Sequence, residues 1–448
     1  VHGLRGLEFL VGAVVRRLDD GRAIGRLAVG AAVHGGDTSV AEGMTVELDP
    51  EMDAPRLAMH LATGTPIGHE LPPIDLRIAT TRATNALLVG ATGRVLLITN
   101  QGLEDLAVIG DQSRPDLFDL DVRPPRLEPA AVIGISARLD ADGNELVALN
   151  VAEVVALVEA QLCADEGGFD AIGICLLHSW RDPSHEIRIA EAIAARFPRF
   201  PLSVGFVCSP DIRLVPRVRT VVADAALAPV MQAFLDGLGL DHQKSQILAM
   251  TSGGGLVESS SYRPSESLLS GPAAGIVGAI ATAARSHAHR IVGFDMGGTS
   301  TDVGRAERVA DLRDVTQVGN ATVRTPCVDL HTIAAGGGSI CGVRDGQLQV
   351  GPESAGAAPG PACFGAGGPL TITDVNLLLG RADPARFGVP LMIEHAEAAM
   401  EAISLETGRS REDLLDGFVT LADERMAEAI RTVTTRRGED PVEHVLVA

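Results

Sequence analysis

Apolar runs alternate with amphipathic segments along most of the chain, and this alternation predicts an α/β fold. The runs "RVLLITN" and "DAIGICLLHS" are continuous enough to form buried strands, whereas "VAEVVALVEAQLCADEGG" has the 3.6-residue apolar repeat of a helix. Pro183 follows Asp182 at the predicted start of the next helix, and proline suits the first helical position. Strands and helices therefore alternate through the first part of the chain.

The pattern changes near residue 286. The stretch "RIVGFDMGGTSTDVGRAE" predicts a β-hairpin that opens a second α/β domain, followed by helices at roughly 393–405 and 414–434. We therefore expect three parts: a divergent N-terminal segment at residues 1–73, an α/β domain at 74–285 and a second α/β domain at 286–448.

Composition limits the partners that the protein can have. The 448 residues are 46% hydrophobic, enough to fill two domains. Lys plus Arg number 37 against 58 Asp plus Glu, giving a formal net charge of -21. This balance disfavours a nucleic-acid or anionic-membrane surface. A phosphate site would depend on backbone amides and a metal ion.

The cysteines indicate the compartment. Six of them are widely spaced and form no CxxC pair, which disfavours a zinc cluster or a disulfide framework and fits a reducing cytoplasm. The first residues have no signal-peptide cleavage pattern, and "AAGIVGAIATAA" is too short to span a bilayer. We expect a soluble, cytoplasmic protein.

The stretch "VGFDMGGTSTDVG" is the most specific chemical motif. A tight glycine turn between two strands exposes N–H groups, and its glycines let phosphate approach without a Cβ clash. Asp295 and Asp302 flank the turn and could hold Mg²⁺ through water. Neither a GxGxxG nor a GxxxxGK[ST] pattern is present. The alternative is a Gly-Gly hairpin that serves only as a turn.

A second glycine-rich loop, "AAGGGSI", could lie near phosphate or substrate, or be an ordinary loop. Just upstream, Asp329 and His331 alternate along a predicted strand and would share one face. They form a candidate acid/base or metal pair. A hydrogen-bonded structural pair is the alternative.

Several other features have two interpretations. Thr80 or Thr81 could bind an anion at a helix N-terminus or cap that helix. The stretch "LLSGPAAG" could form a wall near a nucleotide or a helix-packing surface. Packing or capping is favoured over ligand binding for three further residues, namely His178, Trp180 and His185.

Several of these stretches together resemble the hydantoinase A/5-oxoprolinase family, from about residue 74 to the end. The motifs are "TTRATNALL", "CLLHSWRDPSHE", "LLSGPAAGIVGA", "FDMGGTSTDV", "AAGGGSICG" and "VGPESAGAAPGPACFGAGGPLTITDVNLLLGR". The resemblance implies an actin-like ATPase fold, with two ribonuclease-H-like domains around a cleft that binds ATP. Family members use ATP to open lactams or hydantoins, or to carboxylate ketones, often with a hydantoinase B-type partner.

The resemblance assigns the residues of one phosphate loop, and the residue patterns described above supply the other candidates. The residues that match the second phosphate loop of the family are Asp295, Gly297, Gly298, Thr299, Thr301 and Asp302. From the second glycine-rich loop we add, as candidate ATP contacts, Gly336, Gly337, Gly338 and Ser339. The candidate catalytic residues are Asp302, Asp329 and His331, and Asp295 and Asp302 are the candidate Mg²⁺ ligands.

The sequence departs from the family pattern at both ends. Residues 1–48 contain no Asp-x-Gly-Gly-Thr-x-Thr-Asp loop; "HGGDTSV" has glycines but lacks the preceding Asp. Relatives continue past the strand matching "VEHVLVA" into a loop that would hold adenosine. Glu439 stands where many relatives have an aromatic residue. We therefore expect a fold that is incomplete at both ends and that binds Mg-ATP weakly.

The expected function is ATP-dependent hydrolysis of a cyclic amide, such as 5-oxoproline or a hydantoin, through a phosphorylated amide. One alternative is a non-catalytic fragment or scaffold subunit that contacts a hydantoinase B-like partner. Another is a subunit of an ATP-dependent ketone carboxylase.

Overall fold

A computed structural model describes most of the chain. The described residues are 14–17, 23–27, 33–34 and 46–49, for which only the backbone is considered, and 52–112, 118, 120, 127–241, 243–387 and 390–448. His34, the first residue of the stretch "HGGDTSV", is described, and the rest of that stretch lies outside the described residues.

The chain divides into two compact units. Unit 1 comprises Val1–Thr251, Leu256–Leu268 and Thr316–Thr325, and unit 2 comprises Ser252–Gly255, Leu269–Val315 and Pro326–Ala448. Short segments of each unit are therefore inserted in the sequence of the other, which a division into consecutive domains does not anticipate.

The part of the chain up to residue 268 alternates strands and helices. Its strands are β1 (Val14–Arg17), β2 (Ala23–Leu27), β3 (Val33–His34), β4 (Val46–Asp49), β5 (Asp75–Ile78), β6 (Val95–Asn100), β7 (Ala131–Ile135), β8 (Arg138–Leu139), β9 (Glu145–Val147), β10 (Ala171–Ile174), β11 (Leu202–Val204), β12 (Gln246–Met250) and β13 (Leu256–Glu258). Its helices are α1 (Ala54–Thr63), α2 (Arg82–Val89), α3 (Leu106–Ile109), α4 (Val151–Ala164), α5 (Ser184–Arg196), α6 (Gly205–Cys208) and α7 (Leu214–Gly237).

The core of unit 1 is a parallel sheet with strand order β11-β10-β6-β7. Every residue of β6 and β10 is buried, as expected for strands covered on both faces. Leu96 and Ile172 pack with residues of α4 and α5, whereas Leu97 packs with α7. The predicted strands "RVLLITN" and "DAIGICLLHS" are confirmed as β6 and β10.

Helix α7 is a core helix that the sequence patterns did not reveal. Among the described helices, it is the one long and apolar enough to cross a membrane. However, 67% of its most apolar 18-residue stretch is buried inside the fold. Arg217 and Asp224 are buried in it, and each is hydrogen bonded to protein groups. Pro229 also lies within the helix. These polar residues and this proline obscure the periodicity.

The remaining elements follow residue 268. The strands are β14 (Arg290–Met296), β15 (Thr301–Glu307), β16 (Val309–Ala310), β17 (Leu312–Arg313), β18 (Thr316–Val318), β19 (Ala321–Val323), β20 (Cys327–Val328), β21 (Leu330–Ile333), β22 (Ser339–Arg344), β23 (Gln347–Ser354) and β24 (Val445–Val447). The helices are α8 (Ser270–Ala284), α9 (Ile372–Leu378), α10 (Ile393–Thr407) and α11 (Arg411–Val433). Strands β18 and β19 pair with each other and belong to unit 1.

Unit 2 is built on a sheet ordered β16-β15-β14-β24, with β21 also paired to β15. Ile291 and Ala306 are opposite each other and pack against α8. Val292 and Val303 point the other way and pack against α11. This alternation fixes which residues of the predicted hairpin face each helix.

Candidate functional site

The β14–β15 hairpin places the two candidate Mg²⁺ ligands directly opposite each other. Asp295 pairs with Asp302 in the antiparallel register, and both continue the row of residues that faces α8. A Cβ atom added to Gly275 of α8 would lie 3.5 Å from Asp295 Oδ2. The N-terminal half of α8 therefore lies beside the carboxylates.

Two glycines allow this close packing of helix on sheet. A Cβ atom at Gly293 would lie 2.6 Å from Ile276 Cδ1, and one at Gly304 would lie 2.7 Å from the same atom. Larger residues would push α8 away from the hairpin. The stretch "LLSGPAAG" thus leads into a packing helix that also lies next to the candidate site.

A cavity of about 240 Å³ lies along α8 and this face of the hairpin. Gly275, Asp295 and Asp302 contribute to its lining, together with Phe294. The two carboxylates therefore border a space large enough to admit part of a ligand.

The arginines of the hairpin do not neutralise these carboxylates. Arg290 pairs with Glu307 and Glu443, and Arg305 pairs with Asp311 and Glu439. Within the described part of the chain, neither Asp295 nor Asp302 has an ion-pair partner. Two neighbouring carboxylates with no ion-pair partner among the described residues are a suitable environment for a cation.

The environment of Asp302 opposes its ionisation. Burial raises the pKa of Asp302, and the negative charge of Asp295 adds to this rise, whereas a hydrogen bond from Thr332 opposes it. Thr332 Oγ1 donates to Asp302 Oδ1 at 2.5 Å. A bound cation would relieve the repulsion and favour the ionised form.

The residues present fit a divalent cation only with outside ligands. Among the described residues, no group of three or more His, Cys, Asp or Glu side chains could hold a metal. Asp295 and Asp302 supply oxygen donors, which Mg²⁺ prefers, and Mg²⁺ usually takes one or two protein carboxylates plus water and phosphate oxygens.

The turn between the strands has free N–H groups. Gly297 N donates to Ser300 O at 2.9 Å and closes the turn. The amides of Gly298 and Thr299 have no acceptor among the described residues, and both residues are exposed. A Cβ atom added to Gly298 would meet nothing within 4 Å. The turn therefore presents donors that an anion could bind.

The second glycine-rich loop packs directly on this turn. Gly337 N donates to Gly297 O at 3.0 Å, and Gly338 N donates to Gly298 O at 2.6 Å. A Cβ atom at Gly336 would lie only 2.7 Å from Gly297 O. The glycines of the loop are thus required for backbone-to-backbone contact with the turn.

The other polar groups of this loop are also engaged within the protein. Gly336 N donates to Ser339 Oγ at 2.9 Å, and Ser339 is buried. Thr301, also buried, donates from Oγ1 to Ala335 O at 2.5 Å. The amide donors of Gly336, Gly337 and Gly338 and the hydroxyl of Thr301 support the turn, while the free donors belong to Gly298 and Thr299.

The structure does not bring Asp329 and His331 together with Asp302. Asp329 forms ion pairs with Arg437 and, at 3.9 Å, with Arg313. His331 lies opposite Val303, on the face that packs against α11, whereas Asp302 faces α8. His331 therefore lies on the opposite face of the sheet from Asp302, and Asp329 is engaged in ion pairs.

Thr332 is the polar neighbour that sequence reasoning missed. It lies opposite Asp302 because β21 pairs with β15. The two residues are 30 positions apart, and no local pattern shows this pairing. Thr373 was also missed; its Oγ1 donates to Gly337 O at 2.9 Å and helps to hold the loop.

The structure places each residue for which capping or packing was an alternative to ligand binding. Thr81 is the N-cap residue of α2 but makes no side-chain capping hydrogen bond, whereas Thr80 Oγ1 accepts from Arg82 N at 3.1 Å. His185 is buried and its Nε2 lies 2.8 Å from Glu145 Oε1. The other two residues of this group are His178 and Trp180. His178 has a positive φ of 65°, and Trp180 is 37% exposed.

Comparison with known families agrees with this fold. The model of the hydantoinase/oxoprolinase family matches residues 217–448, and that of the hydantoinase/oxoprolinase N-terminal region matches residues 55–197. The chain therefore belongs to the hydantoinase/oxoprolinase family.

Curated relatives extend the comparison. The chain is 35% identical to a 5-oxoprolinase of Pestalotiopsis fici over 93% of this chain and 36% of that protein. It is 35% identical to a 5-oxoprolinase of Saccharomyces cerevisiae over 84% of this chain and 32% of that protein. It is 32% identical to caprolactamase subunit alpha of Pseudomonas jessenii over 82% of this chain and 55% of that protein. The chain thus spans about a third of the length of the 5-oxoprolinases.

Solved structures give the fold. The ATP-dependent caprolactamase of Pseudomonas jessenii is similar with a TM-score of 0.68 and 29% identity, covering 91% of this chain and 63% of that one. Nucleotide-free acetone carboxylase is similar with a TM-score of 0.64 and 22% identity, covering 83% and 55%. The predicted actin-like ATPase fold is confirmed.

Proposed function

We propose that this chain is the ATP-binding part of an enzyme that hydrolyses a cyclic amide. The observation that carries the proposal is the cross-strand pair Asp295 and Asp302, which has no ion-pair partner among the described residues, together with the free amides of Gly298 and Thr299 in the turn between their strands. Carboxylates for a cation and N–H donors for phosphate are the groups that phosphoryl transfer requires. The 5-oxoprolinase and caprolactamase relatives supply the substrate class.

The residues of the hairpin have separate roles in this proposal. The amides of Gly298 and Thr299 donate to phosphate oxygens of ATP and orient them. Asp295 and Asp302 would hold Mg²⁺, which offsets the negative charge that spreads over the phosphate oxygens during transfer. Thr301 and the loop at residues 335–339 keep the turn in place.

Phosphorylation solves a chemical difficulty of the substrate. An unstrained amide is a poor electrophile, and its nitrogen is a poor leaving group. The amide oxygen attacks the γ-phosphorus of ATP, ADP leaves, and the O-phosphorylated carbon becomes susceptible to water. Water adds there, the C–N bond breaks as the nitrogen takes a proton, and a second water releases phosphate. The products are the open-chain amino acid, ADP and phosphate.

A hydantoinase B-type subunit or domain is the proposed partner. The name of the alpha subunit of caprolactamase supports a multi-subunit enzyme, and the chain covers only 32% of the yeast 5-oxoprolinase. We keep the cytoplasm as the proposed compartment, since all six cysteines are free thiols.

The test is phosphate release from Mg-ATP by the chain, alone and mixed with a hydantoinase B-type subunit. We expect 5-oxoproline or caprolactam to stimulate release in the mixture. Asp302→Asn should reduce the stimulated rate by roughly 100-fold or more, corresponding to about 3 kcal/mol of transition-state stabilisation. An Asp302→Asn variant as active as the wild type would contradict the proposed role of Asp302.

The same assay distinguishes the alternatives. Stimulation by acetone with bicarbonate, and by neither lactam, would identify a ketone carboxylase. Binding of the B-type subunit without stimulated phosphate release by any substrate would indicate a non-catalytic scaffold. Both outcomes would overturn the proposed hydrolase.

A further inference from the structure

Thr332 is the side chain that holds Asp302. It is an exposed residue of β21, directly opposite Asp302 of β15. Its Oγ1 donates to Asp302 Oδ1 at 2.5 Å. No other described residue donates a hydrogen bond to this carboxylate, so Oδ2 is left available to a ligand.

The neighbouring threonines have different partners. Thr301 donates to Ala335 O and Thr373 donates to Gly337 O, so each supports the backbone around the turn. Thr332 instead acts on a charged side chain. A hydroxyl bonded to one oxygen of a carboxylate limits its rotation and thereby fixes the direction of the other oxygen.

We infer that Thr332 is a positioning residue that fixes the Asp302 carboxylate so that Oδ2 stays available to a divalent cation. The inference rests on the proposed function, since the cation is the ligand proposed there. Groups that orient a metal ligand contribute strongly to binding, and their removal lowers metal affinity by about 10-fold to 100-fold.

The experiment compares three variants with the wild type. Thr332→Val keeps the β-branched shape and removes the hydroxyl, whereas Thr332→Ser keeps the hydroxyl. Thr432→Val is the matched control, because Thr432 Oγ1 donates to Glu428 O on α11 at 2.9 Å, outside the site. Mn²⁺ is the probe, added with a non-hydrolysable ATP analogue that supplies the phosphate ligands, and its binding is followed by electron paramagnetic resonance.

We expect Thr332→Val to weaken Mn²⁺ binding by about 10-fold or more, and Thr332→Ser and Thr432→Val to bind within about threefold of the wild type. Equal binding by wild type and Thr332→Val would overturn the inference. So would equal weakening in the Val and Ser variants, because only the shape of the side chain would then matter.

Metal-free crystal structures separate this inference from the proposed function. Asp302 should occupy one rotamer in the wild type and in Thr332→Ser, and a different or mixed rotamer in Thr332→Val. An unchanged rotamer in Thr332→Val overturns the positioning role. If the wild type binds no Mn²⁺, the proposed cation site fails, and with it the purpose assigned to Thr332, whatever the rotamers show.

Discussion

At the scale of single residues, Asp302 is placed at a cost to stability. Asp295 and Asp302 are cross-strand neighbours on one face of the sheet, and burial, together with the negative charge of Asp295, raises the pKa of Asp302. Ionisable side chains whose surroundings disfavour the charged form are frequent at functional sites. A fold optimised only for stability would place a neutral residue at one of the two positions.

This arrangement predicts that Asp302→Asn raises the melting temperature at pH 7, by on the order of 1 °C. The pKa of Asp302 is raised in the folded state, so the folded protein holds the proton to higher pH than the unfolded chain. Its stability contribution therefore falls as pH rises from about 3.9 through the folded pKa. Asparagine does not ionise, so the variant avoids this loss of stability. Its side-chain oxygen can still accept a hydrogen bond from Thr332.

Thermal melts of both proteins between pH 3.5 and pH 7 check this prediction. The gain in the Asn variant should be present at pH 7 and should disappear below about pH 3.9, where both folded and unfolded chains carry the protonated acid. A variant less stable than the wild type at pH 7 would show that the ionised carboxylate stabilises the fold.

At the scale of elements, two glycine-rich segments form one structure. The loop at residues 335–339 donates two backbone hydrogen bonds to carbonyl oxygens of the turn at residues 297–300. Gly336 allows their contact, whereas Gly298 borders open space. A side chain at Gly336 would therefore clash with the turn, whereas one at Gly298 would enter open space. Substitutions at the two positions should have different effects.

Gly336→Ala should destabilise the fold by about 1–3 kcal/mol, the range for forcing an extra methyl into a packed site. Its Cβ would lie 2.7 Å from Gly297 O, a backbone atom that cannot rotate away. Chemical denaturation measures the effect. Gly342→Ala in β22 is the control, because its added Cβ would meet nothing within 4 Å. Equal stability of the two variants would contradict the packing argument.

Gly298→Ala should leave the free energy of unfolding within about 0.5 kcal/mol of the wild type, since no described atom lies within 4 Å of the added Cβ. The methyl group would project into the space from which phosphate approaches the turn. We expect ATP affinity to fall at least about 10-fold, measured by calorimetry. If this variant binds ATP as tightly as the wild type, the turn does not contact phosphate.

The hairpin could be predicted from the sequence because its determinants are local. Asp295, the two glycines and Asp302 occupy one short stretch, and strand alternation places both carboxylates on one face. Thr332 could not be predicted, because its contact depends on the pairing of β21 with β15. The packing role of Gly336 likewise depends on the turn, which is distant in sequence.

At the scale of the whole molecule, the core of unit 1 contains a buried ion pair. In unit 1, Arg217 and Glu186 are fully buried partners, 3.4 Å apart. The carboxylate also accepts from Leu176 N and Phe206 N at 2.7 Å and from Ser179 Oγ at 2.5 Å. Helix α7 was missed from the sequence partly because this arginine interrupts its apolar pattern, and only the folded contacts explain its burial.

Arg217→Met should destabilise the protein by about 3–5 kcal/mol, because it leaves the buried carboxylate of Glu186 without its cation. Arg196→Met is the control: its partner Glu159 and Arg196 itself are 48% and 55% exposed, and such pairs contribute about 0–1 kcal/mol. Chemical denaturation compares the two, and adding Glu186→Gln to Arg217→Met should restore part of the loss, because the unpaired charge is then gone. The prediction is wrong if both single variants lose the same stability, or if the double variant is no more stable than Arg217→Met. Either result would show that Arg217 stabilises the core by packing and not by pairing with the charge of Glu186.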